Sequence, residues 1–354
     1  MPKLMAVVKA NGYGHGTANA ALALRAGGAE WFGVTSLAEA QDLIASGVDS
    51  RETPILVFTP AVNIDQAEFS VKAGLHLTVC DTGHFEVIRQ AALIVGVTAK
   101  VHLKVDTGMG RLGLMPADAL KVAQTVSAAK NLELTGIYTH FSSAAASSPS
   151  STKSQFKTFI DFDQSLKKTG IAGYLRHCAN SAAMLRLPET RLDLVRCGTL
   201  LYGQYPAGSL PKVPGLRPNT LALKARTVFV HELPSGATVG YGSEFTTKRP
   251  TRAAVIPVGF ADGITMQPAS LTTGLRGLTT AIRSVLKPQD LAVSFGLFRA
   301  PVIGRVAMQM VVVDVTDAPT PIVVGDIATI PARRLAISDR LVRVASEIEE
   351  TKSC

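Results

Sequence analysis

The sequence predicts an α/β chain in two parts: a (β/α)8 TIM barrel over residues 1–210 and a mostly β C-terminal domain over residues 211–354. Three observations lead there. From residue 4 to about 205, short apolar, β-branched runs alternate with stretches whose apolar residues recur at three- and four-residue spacing, and eight such pairs can be counted. Alternation of this kind makes a parallel sheet with right-handed crossovers, and eight units close a barrel. Between Pro206 and Pro218 the composition shifts to Pro, Gly and Leu without period, as in a linker. Beyond it, apolar runs punctuated by Gly, Pro and Asp read as strands.

The barrel strands are expected at 4–10, 31–35, 54–58, 75–79, 100–105, 134–140, 174–177 and 193–201. The helices between them show their apolar stripes in Leu37, Ala40, Leu43 and Ile44, and in Phe156, Phe159, Ile160, Phe162 and Leu166. Residues 142–151, rich in Ser and Ala, read as a mobile loop after His140. In the second domain, strands are expected at 222–230, 253–258, 300–303, 310–315 and 326–330, with a hairpin over 288–298. From Ala332 to Cys354 the pattern is helical, with Leu335, Ile337, Leu341, Val344 and Ile348 toward one side.

Composition narrows the function classes. With 354 residues, 47% of them apolar, the chain has room for about two domains and a sizeable core. No apolar run approaches the roughly 18 residues of a membrane span and the N-terminus shows no signal-type apolar region, so a cytoplasmic protein without a membrane partner is expected. The four cysteines, Cys80, Cys178, Cys197 and Cys354, have no metal-ligand spacing and read as free thiols, so no metal is expected. The net charge of +9 is scattered rather than clustered on one face, and no aromatics interleave the short run around Lys248 and Arg249. A nucleic-acid partner is therefore not expected.

The first strand ends at Lys9, just before three glycines in Asn11-Gly12-Tyr13-Gly14-His15-Gly16. At strand parity Lys9 shares a face with Met5 and Val7, so in a barrel its ammonium ends an inward-facing row at the mouth where active sites of this architecture lie. Desolvated there, it would lose its proton more readily and could condense with an aldehyde. A strand-end lysine reaching solvent is the other reading.

Three further stretches fall on the same rim. Lys104-Val105-Asp106-Thr107-Gly108-Met109-Gly110-Arg111 places two cations close together, an arrangement that calls for an anion unless Arg111 is simply exposed. His177-Cys178-Ala179-Asn180-Ser181 ends the seventh strand and starts a helix, where a serine hydroxyl and free N–H groups suit a phosphate, or merely cap the helix. Val195-Arg196-Cys197-Gly198-Thr199 ends the eighth strand; loops after strands seven and eight are the usual phosphate cradle of such barrels, and Gly198 admits close backbone approach.

The string VVKANGYGHG at 7–16 resembles the cofactor-lysine motif of the alanine racemase family, usually VVKANAYGHG, and the resemblance runs from residue 2 to about 330. KVDTGMGRLG at 104–113, the His-x-x-Asn-Ser at 177–181, PVGFADG at 257–263, the V-x-Y-G at 239–242 and GRVAM at 304–308 also match. The resemblance implies a pyridoxal 5'-phosphate enzyme in which Lys9 carries the cofactor as a Schiff base and Tyr13, Ser181, Gly198 and Thr199 meet its phosphate. Arg196 would face the pyridine nitrogen, with His140 and His177 flanking, and Arg111 and the Met308 backbone would meet the substrate carboxylate. Lys104 is the position that can be carbamylated. An arginine cannot give up its proton, so the pyridine nitrogen would stay unprotonated and the reaction would be limited to proton removal and return.

Racemisation needs acid–base groups on both faces of a planar carbanion, and the resemblance supplies Lys9 and Tyr241, the latter reaching the barrel of a second subunit in a homodimer with shared sites. It implies alanine as substrate and D-alanine for peptidoglycan precursors as product. A racemase for serine or another small amino acid, and a non-catalytic pyridoxal phosphate carrier, are the alternatives; carriers resemble the barrel alone. The chain departs from the family in starting at the first barrel strand, where about one helix and one strand normally precede it. Gln309 stands for an aspartate and Phe260 for a tyrosine, and after Ile330 neither the phosphate-touching tyrosine nor the arginine-rich close is found.

Overall fold

A computed structural model describes residues 1–218, 220–265 and 291–345. The chain divides into two compact units, Met1–Thr220 and Leu221–Cys354.

The first unit is the barrel. Its eight strands are β1 (Lys3–Val7), β2 (Trp31–Val34), β3 (Ile55–Val57), β4 (His76–Val79), β5 (Ala99–Lys104), β6 (Leu132–Tyr138), β7 (Leu175–His177) and β8 (Leu194–Cys197). They pair in parallel in the order β7-β6-β5-β4-β3-β2-β1-β8. The ring closes between β7 and β8 through a parallel bridge of Asn180 with Arg196, where the Arg196 N–H donates to the Ala179 carbonyl at 3.0 Å. Alternation sorts the side chains as the sequence requires: Met5, Trp31, Leu56 and Leu194 pack together inside, whereas Ala6, Val8, Phe32 and Val34 pack outward with the helix residues Ala21, Ala40 and Leu43.

The helices are α1 (Thr17–Ala26), α2 (Leu37–Ala45), α3 (Ile64–Lys72), α4 (Thr82–Val95), α5 (Pro116–Ala128), α6 (Ser150–Lys168) and α7 (Ser181–Arg186). Ser36, Asn63, Asp81 and Asn180 cap α2, α3, α4 and α7 through their side-chain oxygens. The eighth helix expected from the strand count is not found among the described residues: β8 is followed by a 3-10 turn, Thr199–Tyr202, closed by the left-handed Gly203. The Ser-rich stretch is also more ordered than expected. Its last residues begin α6, the Arg186 guanidinium donates to the Ala146 and Ser147 carbonyls, and Gln155 Oε1 accepts from the Ser142 N–H at 3.0 Å.

The second unit is built from antiparallel strands. One sheet has the order β10 (Phe229–Leu233), β13 (Thr251–Ile256), β16 (Val311–Asp314), and the other β15 (Phe298–Pro301), β14 (Ala292–Phe295), β17 (Ile327–Ile330), β9 (Leu223–Arg226); β11 (Thr238–Val239) and β12 (Phe245–Thr246) form a hairpin. The single run expected over 222–230 is two strands, because the chain changes sheets at Thr227: its N–H donates to Asp326, and the next one to Val255. Ile256, Val293, Val311, Val313 and Ala328 form the core between the sheets. The expected hairpin is β14–β15, slightly later than 288–298, whose first three residues lie outside the described ones. The expected terminal helix is not found within the described residues. Residues 332–345 hold one 3-10 turn, Arg334–Ala336, and the Arg340 Nε–H donates at 2.9 Å to the buried Asp262; Ile348 lies outside the described residues.

Candidate active site

The mouth of the barrel, at the C-terminal ends of its strands, opens into a cavity of about 580 Å³. Lys9, Tyr13, Lys104, Arg111, His140 and Arg196 border it, as do Ser181, Gly198 and Thr199, so the fold gathers nine of the residues singled out from sequence. His177 sits one layer deeper, behind Arg196, and is fully buried. Tyr241 and Met308 belong to the second unit. Tyr241 is 72% exposed on a 3-10 turn (Tyr241–Ser243) between two glycines with positive φ, and Met308 is 60% exposed. The Met308 carbonyl accepts from Ala261 at 3.0 Å, and its own N–H has no partner among the described residues.

Lys9 stands two residues past the end of β1, where the backbone turns left-handed through Ala10, Asn11, Gly12 and Tyr13, with φ of +51°, +52°, +59° and +52°. Left-handed non-glycine residues cost about 1–2 kcal/mol each, so this hook needs fastening. Glu39 supplies part of it: beyond its role in the α2 capping box, one carboxylate oxygen accepts from the Ala10 N–H at 2.8 Å and the other from Thr35 at 2.7 Å. Asn11 Oδ1 accepts from the Thr17 N–H at 2.9 Å. The hook presents Lys9 to the cavity, but in the single chain Lys9 is exposed, so the desolvation expected of it is not provided by its own barrel.

Electrostatics define the site more sharply than any single residue. Lys9, Lys104, Arg111 and Arg196 form no ion pair with a carboxylate among the described residues. Asp106, the acid nearest Arg111 in sequence, instead accepts three backbone N–H groups, from Gly108, Met109 and Gly110 at 2.8–2.9 Å. The field shows at His140, whose pKa is pushed down to about 3 by burial and then by Arg196, Lys104, Arg111 and Lys9. Lys104, 4% exposed and 5.3 Å from the Tyr138 ring centroid, is lowered to about 8, chiefly by burial and further by Arg196 and Arg111. Such a cluster is built for an anion.

Arg196 is held by acceptors that carry no charge. Its Nη1 donates to the His177 carbonyl at 2.7 Å and to His177 Nδ1 at 3.0 Å, and its Nη2 to the Thr139 carbonyl at 2.6 Å. The remaining Nε–H has no partner among the described residues, and the residue borders the cavity. Across the mouth, Tyr13 stacks on Tyr202 with ring centroids 4.7 Å apart, and burial raises the pKa of its hydroxyl although Thr199 acts on it in the opposite sense. Gly198 is required there: a Cβ would lie 2.3 Å from the Tyr13 hydroxyl. Ser181 turns out not to cap its helix, since Asn180 takes the Ala182 and Ala183 N–H groups; the Ser181 hydroxyl accepts from the Gly198 N–H at 3.1 Å and ties the two cradle loops together.

Sequence reasoning missed Glu39, although Ser36 and Glu39 before an apolar run are a readable capping box. It also missed Tyr138, His102 and His76. His102 lies two residues before Lys104, and at strand parity it faces the same interior.

A barrel with a cation-lined mouth at its strand ends, a projecting amine there and an attached β domain defines an enzyme of anionic-ligand chemistry, and the relatives agree with that class. The sequence model of the alanine racemase N-terminal domain matches residues 1–206 and that of the C-terminal domain residues 220–350. The chain is 38% identical over 322 residues to the alanine racemase of Desulfovibrio desulfuricans, covering 90% of this chain and 80% of that one. To the alanine racemase of Desulforamulus reducens it is 39% identical, covering 88% and 79%. The solved alanine racemase of Clostridium difficile superposes with a TM-score of 0.83 at 28% identity, covering 96% of this chain and 87% of that one. The Streptomyces coelicolor enzyme gives 0.76 at 32%, covering 94% and 82%. The chain belongs to the alanine racemase family, and the match to residue 350 extends past Ile330, where the sequence resemblance was expected to end.

Proposed function

We propose that this chain, as a homodimer with pyridoxal 5'-phosphate, interconverts L- and D-alanine by proton transfer at Cα from two opposed groups. The supporting observation is the set of three cations without a carboxylate around His140, Arg196, Lys104 and Arg111, next to the amine of Lys9. The residues fit the cofactor: the cations match a phosphate and a substrate carboxylate, and the absent Cβ of Gly198 leaves the Tyr13 and Thr199 hydroxyls grouped beside two loops that Ser181 joins. Lys9 would hold the cofactor aldehyde, Tyr13, Ser181, Gly198 and Thr199 its phosphate, and Arg196, flanked by His140 and His177, its ring nitrogen. When bound, the cofactor supplies an electron-withdrawing ring that stabilises negative charge at the substrate Cα.

Arg111 and the Met308 N–H bind and orient the substrate carboxylate. Lys9 takes or returns the Cα proton on one face, and Tyr241 of the second copy serves the other, since a single base would return the proton to the side it left. Arg196, unable to lose its own proton, keeps the group it meets from being protonated and so favours simple proton return. The neutral amine of Lys104 would add to carbon dioxide and release one proton to water, and the carbamate anion so formed would be balanced by Arg111 and Arg196. The product would be D-alanine for peptidoglycan precursors made in the cytoplasm. No helix of the described residues is long and apolar enough to cross a membrane.

Purified protein loaded with the cofactor and given L-alanine should form D-alanine until the two enantiomers are equal, while Lys9→Ala should form none. Loaded protein that leaves L-alanine unchanged overturns this reading.

A further inference from the structure

We propose that His102 and His76 are positioning residues for Arg196, forming with His177 a one-way chain of neutral imidazoles that runs down the barrel axis and fixes the guanidinium at the cavity. His177 Nε2 lies 2.9 Å from His102 Nδ1, and His102 Nε2 lies 3.2 Å from His76 Nδ1. All three rings are at most 2% exposed, and successive rings meet edge to face at 72°.

Chemistry fixes the direction. An arginine only donates, so His177 Nδ1 beneath Arg196 must accept and its proton must sit on Nε2. His177 Nε2–H then donates to His102 Nδ1, which places the His102 proton on Nε2, and that in turn donates to His76 Nδ1. The last N–H, at His76 Nε2, is buried without a partner among the described residues. An orphaned buried donor is costly to keep, and it marks the end of a chain whose orientation is imposed from Arg196. Neutrality agrees: burial holds all three imidazoles below their ordinary range, Arg196 adds to this for His177 and His102, His102 is lowered by His76, and Lys100 acts on His76.

The backbone makes room for this. The register of β5 against β6 shifts between Val101 and His102, and a Cβ on the opposing Gly136 would lie 2.4 Å from His102 Nδ1. Tyr138 lies parallel to His177, at 8° and 4.9 Å, and Trp31 packs on His76 and His102. Without His102, the Nε2–H of His177 would lose its acceptor while Nδ1 stays held by Arg196, leaving a buried donor unmet and the ring no longer fixed from behind.

The role of Arg196 toward a cofactor rests on the proposed function, but the chain itself can be read in cofactor-free protein. Side-chain ¹⁵N spectra of histidine-labelled protein should show His177, His102 and His76 each protonated at Nε2 only, unchanged from about pH 6 to 9. An imidazolium, or a proton on Nδ1, at any of the three overturns the proposal. His102→Leu should leave the His177 proton on Nε2, where Arg196 holds it, but weaken pyridoxal phosphate binding about tenfold or more, with a shifted absorbance of the bound cofactor. His102→Gln, which can accept and donate in the same direction, should restore both the affinity and the absorbance. Wild-type cofactor affinity and absorbance in His102→Leu would overturn the proposal, and should that variant not fold, the wild-type spectrum decides. Inactivity toward alanine with the predicted spectrum would instead count against the function alone.

Discussion

Replacing Gly198 by alanine tests how tightly the cradle is built. The added carbon would lie 2.3 Å from the Tyr13 hydroxyl oxygen, 2.9 Å from Cζ and 3.3 Å from Cε2. Ordinary contacts are about 3.5–4.0 Å, so the ring tip has to withdraw by roughly 1.2–1.7 Å. It has little freedom to do so: the ring is stacked on Tyr202, and its backbone is the last non-glycine residue of the left-handed hook. Overpacking of this kind costs about 1–3 kcal/mol, which corresponds to about 5- to 150-fold in affinity for a ligand that needs Tyr13 in place. The assay is an equilibrium titration with pyridoxal 5'-phosphate followed by absorbance, with Gly208→Ala as a control because its added carbon meets nothing within 4 Å. Tyr13→Phe removes the nearest atom, so Gly198→Ala should cost less in that background, a coupling that a double-mutant cycle reads directly. Wild-type affinity in Gly198→Ala, or strict additivity with Tyr13→Phe, would refute the reasoning.

Lys9→Ala should abolish the visible absorbance of lysine-bound cofactor, and unchanged colour would move the attachment to another residue. Tyr241→Phe should slow exchange of the Cα proton from one enantiomer much more than from the other; a small symmetric effect would remove it as a base. Because Lys104 is lowered to about 8, ¹³C-bicarbonate should give a carbamate signal that grows as pH rises through that value and is missing in Lys104→Ala. Burial raises the Asp193 carboxyl, but hydrogen bonds and charge from Arg176 more than offset it, so its folded value lies below the ordinary one. Its stabilisation is thus present above the ordinary value and lost as pH falls through the folded one, and Asp193→Asn should flatten urea-measured stability below about pH 4.

The barrel was legible because its strands are short apolar runs whose alternation survives without any tertiary information, and each expected strand overlaps the observed one. Boundaries slipped where two elements share one apolar run. Leu200 and Tyr202 continue the pattern of β8 but belong to the 3-10 turn behind it, and residues 222–230 read as one strand because a change of sheet at Thr227 leaves no polar mark. The rim residues were readable since each interrupts an apolar strand end. Asn180 and Ser181 are both good caps, and only coordinates show which oxygen meets the helix. The histidine chain was invisible for a different reason. His76, His102 and His177 come from β4, β5 and β7, and what places them in one stack is stagger around the ring, which no spacing along the sequence encodes.

Two devices keep the mouth positive. A loop that carries Arg111 also carries Asp106, and left to themselves the two would neutralise each other; the turn through Gly108, Met109 and Gly110 instead draws three N–H donors onto the carboxylate. Beneath Arg196, where a buried carboxylate would be the ordinary counter-ion, the strands offer carbonyls and an imidazole nitrogen, which satisfy the donors without cancelling the charge. Both arrangements fulfil hydrogen bonds while leaving the electrostatic demand open, the first at the exposed rim that carries Arg111 and the second around the buried Arg196, where an unmet charge is felt strongly. An anion entering the cavity therefore gains Coulomb energy that folding has left unclaimed, which is why the binding function resides in what the acids and histidines are bonded to as much as in the cations themselves.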